Sequence, residues 1–395
     1  MKRIAEHGSS TYSLPMNLGI RLVLLILIGT ATTSCLAGES LVYFGTATGA
    51  HSQGIYVSRL NDSSGILSAP ELAAEVRNPM FLAVAPGNRF LYATGEMEGA
   101  DGKRAGAVNA FARDAQTGRL TWINRQSSGG SGPCHLAVDA TGQSLLVANY
   151  GSGSIAALPV RTDGSLGEAA TLFSRSGSGP NPKRQAGPHA HFILPSPDNH
   201  FTLDCDLGLD KVFISHLDPA TARLTAADPP FAALAPGSGP RHLTFSRDGR
   251  FVYVINEMGG TISVFSYAAT NAALAAVQTI STLPKDFATN NTAAEIVLHP
   301  NGRFLYGSNR GHDSIAVFAV DTATGRLALV EHASTLGRTP RHFALDPSGR
   351  WLLAENQGSD SVVVFAVDGD TGKLKPTGQV QPLGSPTCAV FVGGN

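Results

Sequence analysis

Cysteine is scarce in this sequence, at four in 395 residues. Cys35 falls in a leader-like stretch. Cys134, Cys205 and Cys388 are odd in number and far apart, so no disulfide framework is implied even in an oxidising compartment. No pair has zinc-ligand spacing, and the three read as packed thiols. An excess of one charge is also missing: 29 Lys plus Arg face 30 Asp plus Glu. That balance leaves no field to draw in nucleic acid or an anionic membrane surface, so a small molecule or a protein is the expected partner. Charged residues make up only 15%, which argues against long solvated helices. The apolar run from Leu22 to Ile28 is too short to span a bilayer comfortably.

That run has the setting of a secretory signal. Lys2, Arg3 and Arg21 precede it, and small residues follow through Ala31 to Ala37. Residues 1–37 are therefore expected to be a signal segment, with 38–395 as the mature domain in the periplasm or outside the cell. Cleavage after Ala37 would leave a soluble chain starting at Gly38. The alternative is that Thr32-Thr33-Ser34-Cys35 resembles a bacterial lipoprotein signal, with Cys35 as the lipid anchor.

What the sequence has in quantity is glycine (44) and proline (23), the residues of short strands and tight turns. These recur in a frame. Copies begin at 79, 133, 188, 240, 293 and 340, which is 47 to 55 residues apart. Within a copy, an apolar run such as Leu243-Thr244-Phe245 meets the turn Ser246-Arg247-Asp248-Gly249. Then come Phe251 to Ile255, a second turn, and Thr261 to Phe265. Gly at the first turn and strand periodicity on either side make each copy a meander of strands, and a weaker fourth strand, near Thr171-Leu172-Phe173, completes a blade. The C-terminus starts a seventh copy at Pro386 to Phe391 and stops. Leu41 to Val57 reads like the second and third strands that this copy lacks. The fold expected is all-β, a seven-bladed β-propeller whose last blade is closed by N- and C-terminal strands, leaving no open edge.

The first two strands of a blade are antiparallel, so residues entering strand one and leaving strand two meet at one mouth. The leaving column, Asn149, Asp206, Asn256, Asn309 and Asn356, recurs as turn caps do, with Asn256 and Asn309 also candidates for substrate binding. The next position varies as Tyr150, Leu207, Glu257, Arg310 and Gln357. In the entering column His135, His242 and His342 recur as a structural set would, while Cys134, Arg241 and Arg341 vary beside them. Pro188-His189-Ala190-His191 is one residue longer than its counterparts, which suggests a bulge that aims His191 into the column of Arg241.

Four motifs, Pro188-His189-Ala190-His191, Gly239-Pro240-Arg241-His242, Tyr253-Val254-Ile255-Asn256-Glu257 and Ser308-Asn309-Arg310-Gly311, resemble those of the lactonase seven-bladed propeller family. That family includes bacterial 6-phosphogluconolactonase and fungal carboxy-cis,cis-muconate cyclase. The resemblance spans the mature chain. It implies a metal-independent, cofactor-free enzyme with a histidine, two arginines and a glutamate, which fall on His191, Arg241, Arg310 and Glu257; His189 is the alternative histidine. Substrate contacts are expected from His189, Asn256, Asn309 and Arg341. The partner implied is a small lactone. Because 6-phosphogluconolactone belongs to cytosolic metabolism, an exported relative is expected to meet another sugar-derived or carboxylated lactone.

The same residues suit the chemistry on their own terms. Lactone hydrolysis needs a base for water, donors for the oxyanion, and an acid for the departing alkoxide. His191 or Glu257 could move the proton, worth about 10²–10⁴-fold. Arg241 and Arg310 could hold an oxyanion or carboxylate, where one preorganised donor is worth about 3 kcal/mol. Two other readings fit the pattern. One is a non-catalytic surface propeller, since Tyr253-Val254-Ile255-Asn256 resembles YVTN repeats. The other is a metal-dependent gluconolactonase using Asn149, Asp206, Asn256 and Glu257.

Overall fold

A computed structural model describes residues 38–99, 102 and 104–392. The signal-segment reading of 1–37, with the Cys35 alternative, lies outside the described residues.

Among these residues are seven four-stranded antiparallel sheets. In chain order, blade 1 covers 82–127, blade 2 133–174, blade 3 190–233, blade 4 240–281, blade 5 292–334 and blade 6 340–382. Blade 7 takes Pro386–Val392 from the C-terminus and Glu39–Thr46, Gly54–Asn61 and Glu71–Glu75 from the N-terminal end. Closure follows the expected partners: Val42 pairs with Phe391, Tyr43 with Val390 and Phe44 with Ala389. The first strand of each blade packs against the first strands of its two neighbours, so these seven strands form the inner ring.

Strands buried on both faces explain why the repeats read as apolar runs rather than as alternations. In blade 4, Phe251–Asn256 is buried throughout. Its period of two sends Val252 and Val254 into a core with Leu203 and Cys205 of blade 3. Tyr253 and Ile255 go the other way, into a core with Ile296 and Leu305 of blade 5. Each such side chain contributes about 1.5–3 kcal/mol. Neighbouring blades are also tied by tyrosine: the hydroxyls of Tyr43, Tyr92 and Tyr306 donate to the carbonyls of Gly118, Gly164 and Gly372 in the next blade.

The bulge expected only in the third repeat is general. Between Pro133 and His135, Ala190 and Phe192, Pro240 and His242, and Pro340 and His342, the inner strand holds one residue more than its partner. Blade 5 has the same excess between Ala293 and Ile296. Ala190 takes the place of Pro133, Pro240 and Pro340, so Pro188 and His189 both lie ahead of the strand, and the bulge itself is a shared device. It lifts Cys134, His191, Arg241 and Arg341 out of the ladder at one mouth. The following residues, His135, Phe192, His242 and His342, stay in register.

Candidate active site

The mouth defined by these bulges opens into a cavity of about 580 Å³ whose wall includes Cys134, Tyr150, Arg184, His191, Glu257, Arg310 and Arg341. Glu257 is its centre of charge. It directly follows the second strand of blade 4, and its backbone N–H donates to the Gly239 carbonyl. One carboxylate oxygen meets Arg184 Nη2 at 2.5 Å; the other lies 2.9 Å from Arg310 Nη2 and 3.2 Å from Arg241 Nε. Burial works against ionisation of Glu257, but Arg310 and Arg241 outweigh it and hold the carboxyl well below the usual carboxylate range.

Blade 5 orients two of these arginines through backbone carbonyls. Arg241 Nη1 donates to Ala294 O at 2.8 Å, and Arg310 Nη2 to Ala293 O at 3.2 Å. Small residues at Ala293 and Ala294 go with this close approach of guanidinium to backbone. Burial, with Arg310 and Arg341 nearby, lowers Arg241 to about 9. Burial and Arg310 lower Arg341 as well. Arg341 makes no hydrogen bond or ion pair among the described residues, although it lines the cavity. Three guanidinium groups thus share one carboxylate, and Arg341 is a fourth cation beside them. Glu96, on another part of the wall, has cations of its own, Arg77 at 3.1 Å and Arg104 at 3.6 Å.

His191 is buried at 5% exposure, with Tyr150 edge-on at 5.5 Å. Burial first, and Arg241 and His242 next, push its pKa well below the ordinary imidazole value, so the ring is neutral at pH 7. Its Nδ1 is buried without a hydrogen-bond partner. Cys134 is no nucleophile here, since burial pushes its thiol up to about 12.

Of the residues singled out in the sequence, His191, Glu257, Arg310 and Arg341 share the cavity wall. Arg241 does not reach it; at 2% exposure it stands behind Glu257 as a counterion. His189 is also off the wall, stacked on Tyr150 at 4.4 Å with Nδ1 at 2.9 Å from the Tyr150 carbonyl. Asn256 and Asn309 are fully buried. Asn256 Nδ2 donates to Thr261 and Ser263, and Asn309 bonds both the hydroxyl and the carbonyl of Thr282. Both close the ends of second strands, bonded to protein groups and off the cavity wall.

The residues named for the metal-binding alternative are engaged by other groups. Asn149 donates to Ser128 O, Asp206 Oδ1 accepts three backbone N–H groups, and Glu257 is ringed by cations where an ion would have to sit. Among the described residues no three His, Cys, Asp or Glu are grouped to hold a metal.

Arg184, which in the sequence could bind an anion together with Lys183 and Arg341 but as a loop cation reads as merely solvated, also lines the wall. The signal was the length of its loop: residues 175–189 form the longest connection between blades. Gln185 pins that loop by donating to Leu207 O at 2.9 Å. Asn78 and Glu96 were missed because the first copy is degenerate.

The family described as "Lactonase, 7-bladed beta-propeller" matches residues 41–391. A 6-phosphogluconolactonase of Bacillus subtilis is 38% identical over 301 residues, 76% of this chain and 83% of that protein. Among solved structures, the periplasmic gluconolactonase of Pseudomonas aeruginosa aligns with a TM-score of 0.84 at 38% identity, covering 90% of this chain and 99% of that one. A putative 6-phosphogluconolactonase of Bacteroides fragilis aligns equally well at 35% identity, covering 91% and 99%. The chain belongs to the lactonase seven-bladed β-propeller family.

Proposed function

We propose that this lactone hydrolase is exported, works without a metal ion, and opens a sugar-derived lactone bearing a carboxylate or other anionic group. The observation that carries the reading is the charge around Glu257: Arg184 and Arg310 on the wall and Arg241 behind it share this one carboxylate, and Arg341 lines the same cavity unpaired among the described residues. An anionic substrate supplies the charge this wall is short of.

In this reading His191 takes a proton from water. The hydroxide oxygen bonds to the lactone carbonyl carbon, the ring C–O bond breaks, and the departing oxygen takes the proton back. A neutral imidazole is in the accepting form, and an anionic substrate beside it strengthens its hold on the proton. Arg310 and Arg341 hold the developing oxyanion or the substrate carboxylate, each donor worth about 3 kcal/mol. Glu257 is kept ionised with both oxygens ion-paired, which makes it a clamp for the arginines rather than a proton carrier.

Export is supported by the basic, apolar and small stretches of 1–37 in that order, and by likeness to a gluconolactonase named as periplasmic. Among the described residues no helix is long and apolar enough to cross a membrane. Purified protein assayed on neutral and carboxylated aldonolactones, with and without chelator, tests the activity. Chelator-insensitive turnover that prefers the anionic lactones is expected; loss of turnover on chelation overturns the proposal. Mass spectrometry of the mature N-terminus separates a Gly38 start from a lipidated Cys35.

A further inference from the structure

Behind the cavity wall lies a second cluster of ionisable groups that the proposed chemistry leaves unused. His135, His242 and His342 pack with Phe81 and Phe192 at ring separations of 4.0 to 5.9 Å. Two carboxyls join them. Glu295 lies 3.0 Å from His242 Nδ1 and 3.4 Å from His342 Nε2, and Glu355 lies 2.9 Å from His342 Nδ1. None of the five ionisable residues is more than 7% exposed. Burying such groups is costly unless they are paired or used, and Phe192 shows that the position fills equally well with an apolar ring.

Glu295 Oε1 accepts from the Ile296 N–H and lies beside His242 Nδ1; burial raises the Glu295 carboxyl, and in its ionised form it places the imidazole proton on Nδ1. The lone pair of His242 is then on Nε2, which is buried without a hydrogen-bond partner. The adjacent ring, 5.2 Å away between centroids, is His191, whose Nδ1 is in the same condition. Two neighbouring imidazoles each hold a buried ring nitrogen with nothing to bond.

We propose that His242 is a proton relay for His191, and that Glu295 is the positioning residue that keeps its Nε2 free to accept. The inference rests on His191 being the base in the reading above. As His191 gains a proton from the attacking water, its Nδ1 proton passes through one bridging water to His242 Nε2, and returns when the ring oxygen departs. The charge on His242 is transient by construction. Arg241 on its own strand, Arg310 of blade 5 and Arg341 of blade 6 oppose it, as do neighbouring imidazoles His135 and His342 when protonated. Glu295 is the carboxylate in contact that favours it.

Two variants test the relay. His242→Phe copies the residue that blade 3 carries at this place, and Glu295→Gln keeps the shape while removing the charge. Melting temperatures first show that both fold. With a lactone turned over by the wild type, kcat is expected to fall roughly 10-fold or more, with KM unchanged within about twofold, the lower side of what positioned proton transfer contributes. The imidazole 15N signals of His191, titrated without substrate, are expected to titrate at a different pH in His242→Phe than in the wild type. An unmoved His191 titration together with wild-type kcat overturns the relay. If the wild type turns over no lactone, the proposed hydrolysis has failed, and the His191 titration still decides whether the two imidazoles are coupled.

Discussion

Replacing Glu257 with Gln keeps the shape of the side chain and removes the one negative charge shared by Arg184, Arg241 and Arg310. The cost is set by Arg241, whose side chain is only 3% exposed and cannot turn to water. Arg310, at 13%, is little better placed, whereas Arg184, at 36%, is largely screened and adds little. Leaving one buried charge without its partner costs about 3–5 kcal/mol, which in a domain of this size lowers the melting temperature on the order of 5–10 °C. The sign with pH follows from the depressed pKa. A carboxyl held below its ordinary 4.5 stabilises the fold fully above that value and loses the contribution as the pH falls through the folded value. The gap between wild type and Glu257→Gln is therefore expected to be full at pH 7 and to close in acid. Sulfate, which the freed arginines can bind, should raise the melting temperature of the variant more than that of the wild type. Calorimetry across pH and sulfate concentration reads all of this. A variant that melts with the wild type at pH 7, or a gap that does not close in acid, refutes the clamp.

Three further outcomes are expected. His191→Gln should lower kcat by about 10²–10⁴ with KM little changed, measured on whichever lactone the wild type hydrolyses fastest. Arg341→Met should raise KM for carboxylated lactones about 10-fold or more while leaving neutral ones near wild type, because an unpaired guanidinium is lost from the wall; equal losses on both classes would count against an anion subsite. The pH profile of kcat/KM should fall on its acid side only below pH 6.5, since a base with a depressed pKa stays neutral until then.

Much of the fold was legible because a propeller repeats its physics. Each inner strand meets the same turn, each second strand is buried on both faces, and the unfinished copy at Pro386 had its complement at Leu41. What could not be read was where the extra residue of a bulge falls, since one added residue ahead of a strand and one within it look alike in a sequence. The structure moves it outside the strand in Pro188-His189-Ala190-His191 and puts a bulge in the neighbouring blades too. Arg184 was illegible for a different reason. Its role depends on a loop held by Gln185 across to Leu207, a contact 22 residues away that no local pattern encodes.

Variation among repeats was the useful signal for the site, and it was also where reasoning from one sequence stopped. Positions that recur were read as scaffold, which fits Asn256, bonded within its own turn, and Asn309, bonded to Thr282 of the preceding connection. The same rule set His242 aside with His135 and His342. Recurrence along the chain does not make the surroundings equal, because each blade meets different neighbours around the ring. His135 Nδ1 accepts a backbone N–H from Ile193, and His342 lies between two carboxyls. His242 alone of the three pairs a carboxylate at one nitrogen with an unpartnered nitrogen at the other, beside His191. A repeated residue acquires a separate role through its contacts with the adjacent blade, and those contacts join residues about 50 positions apart.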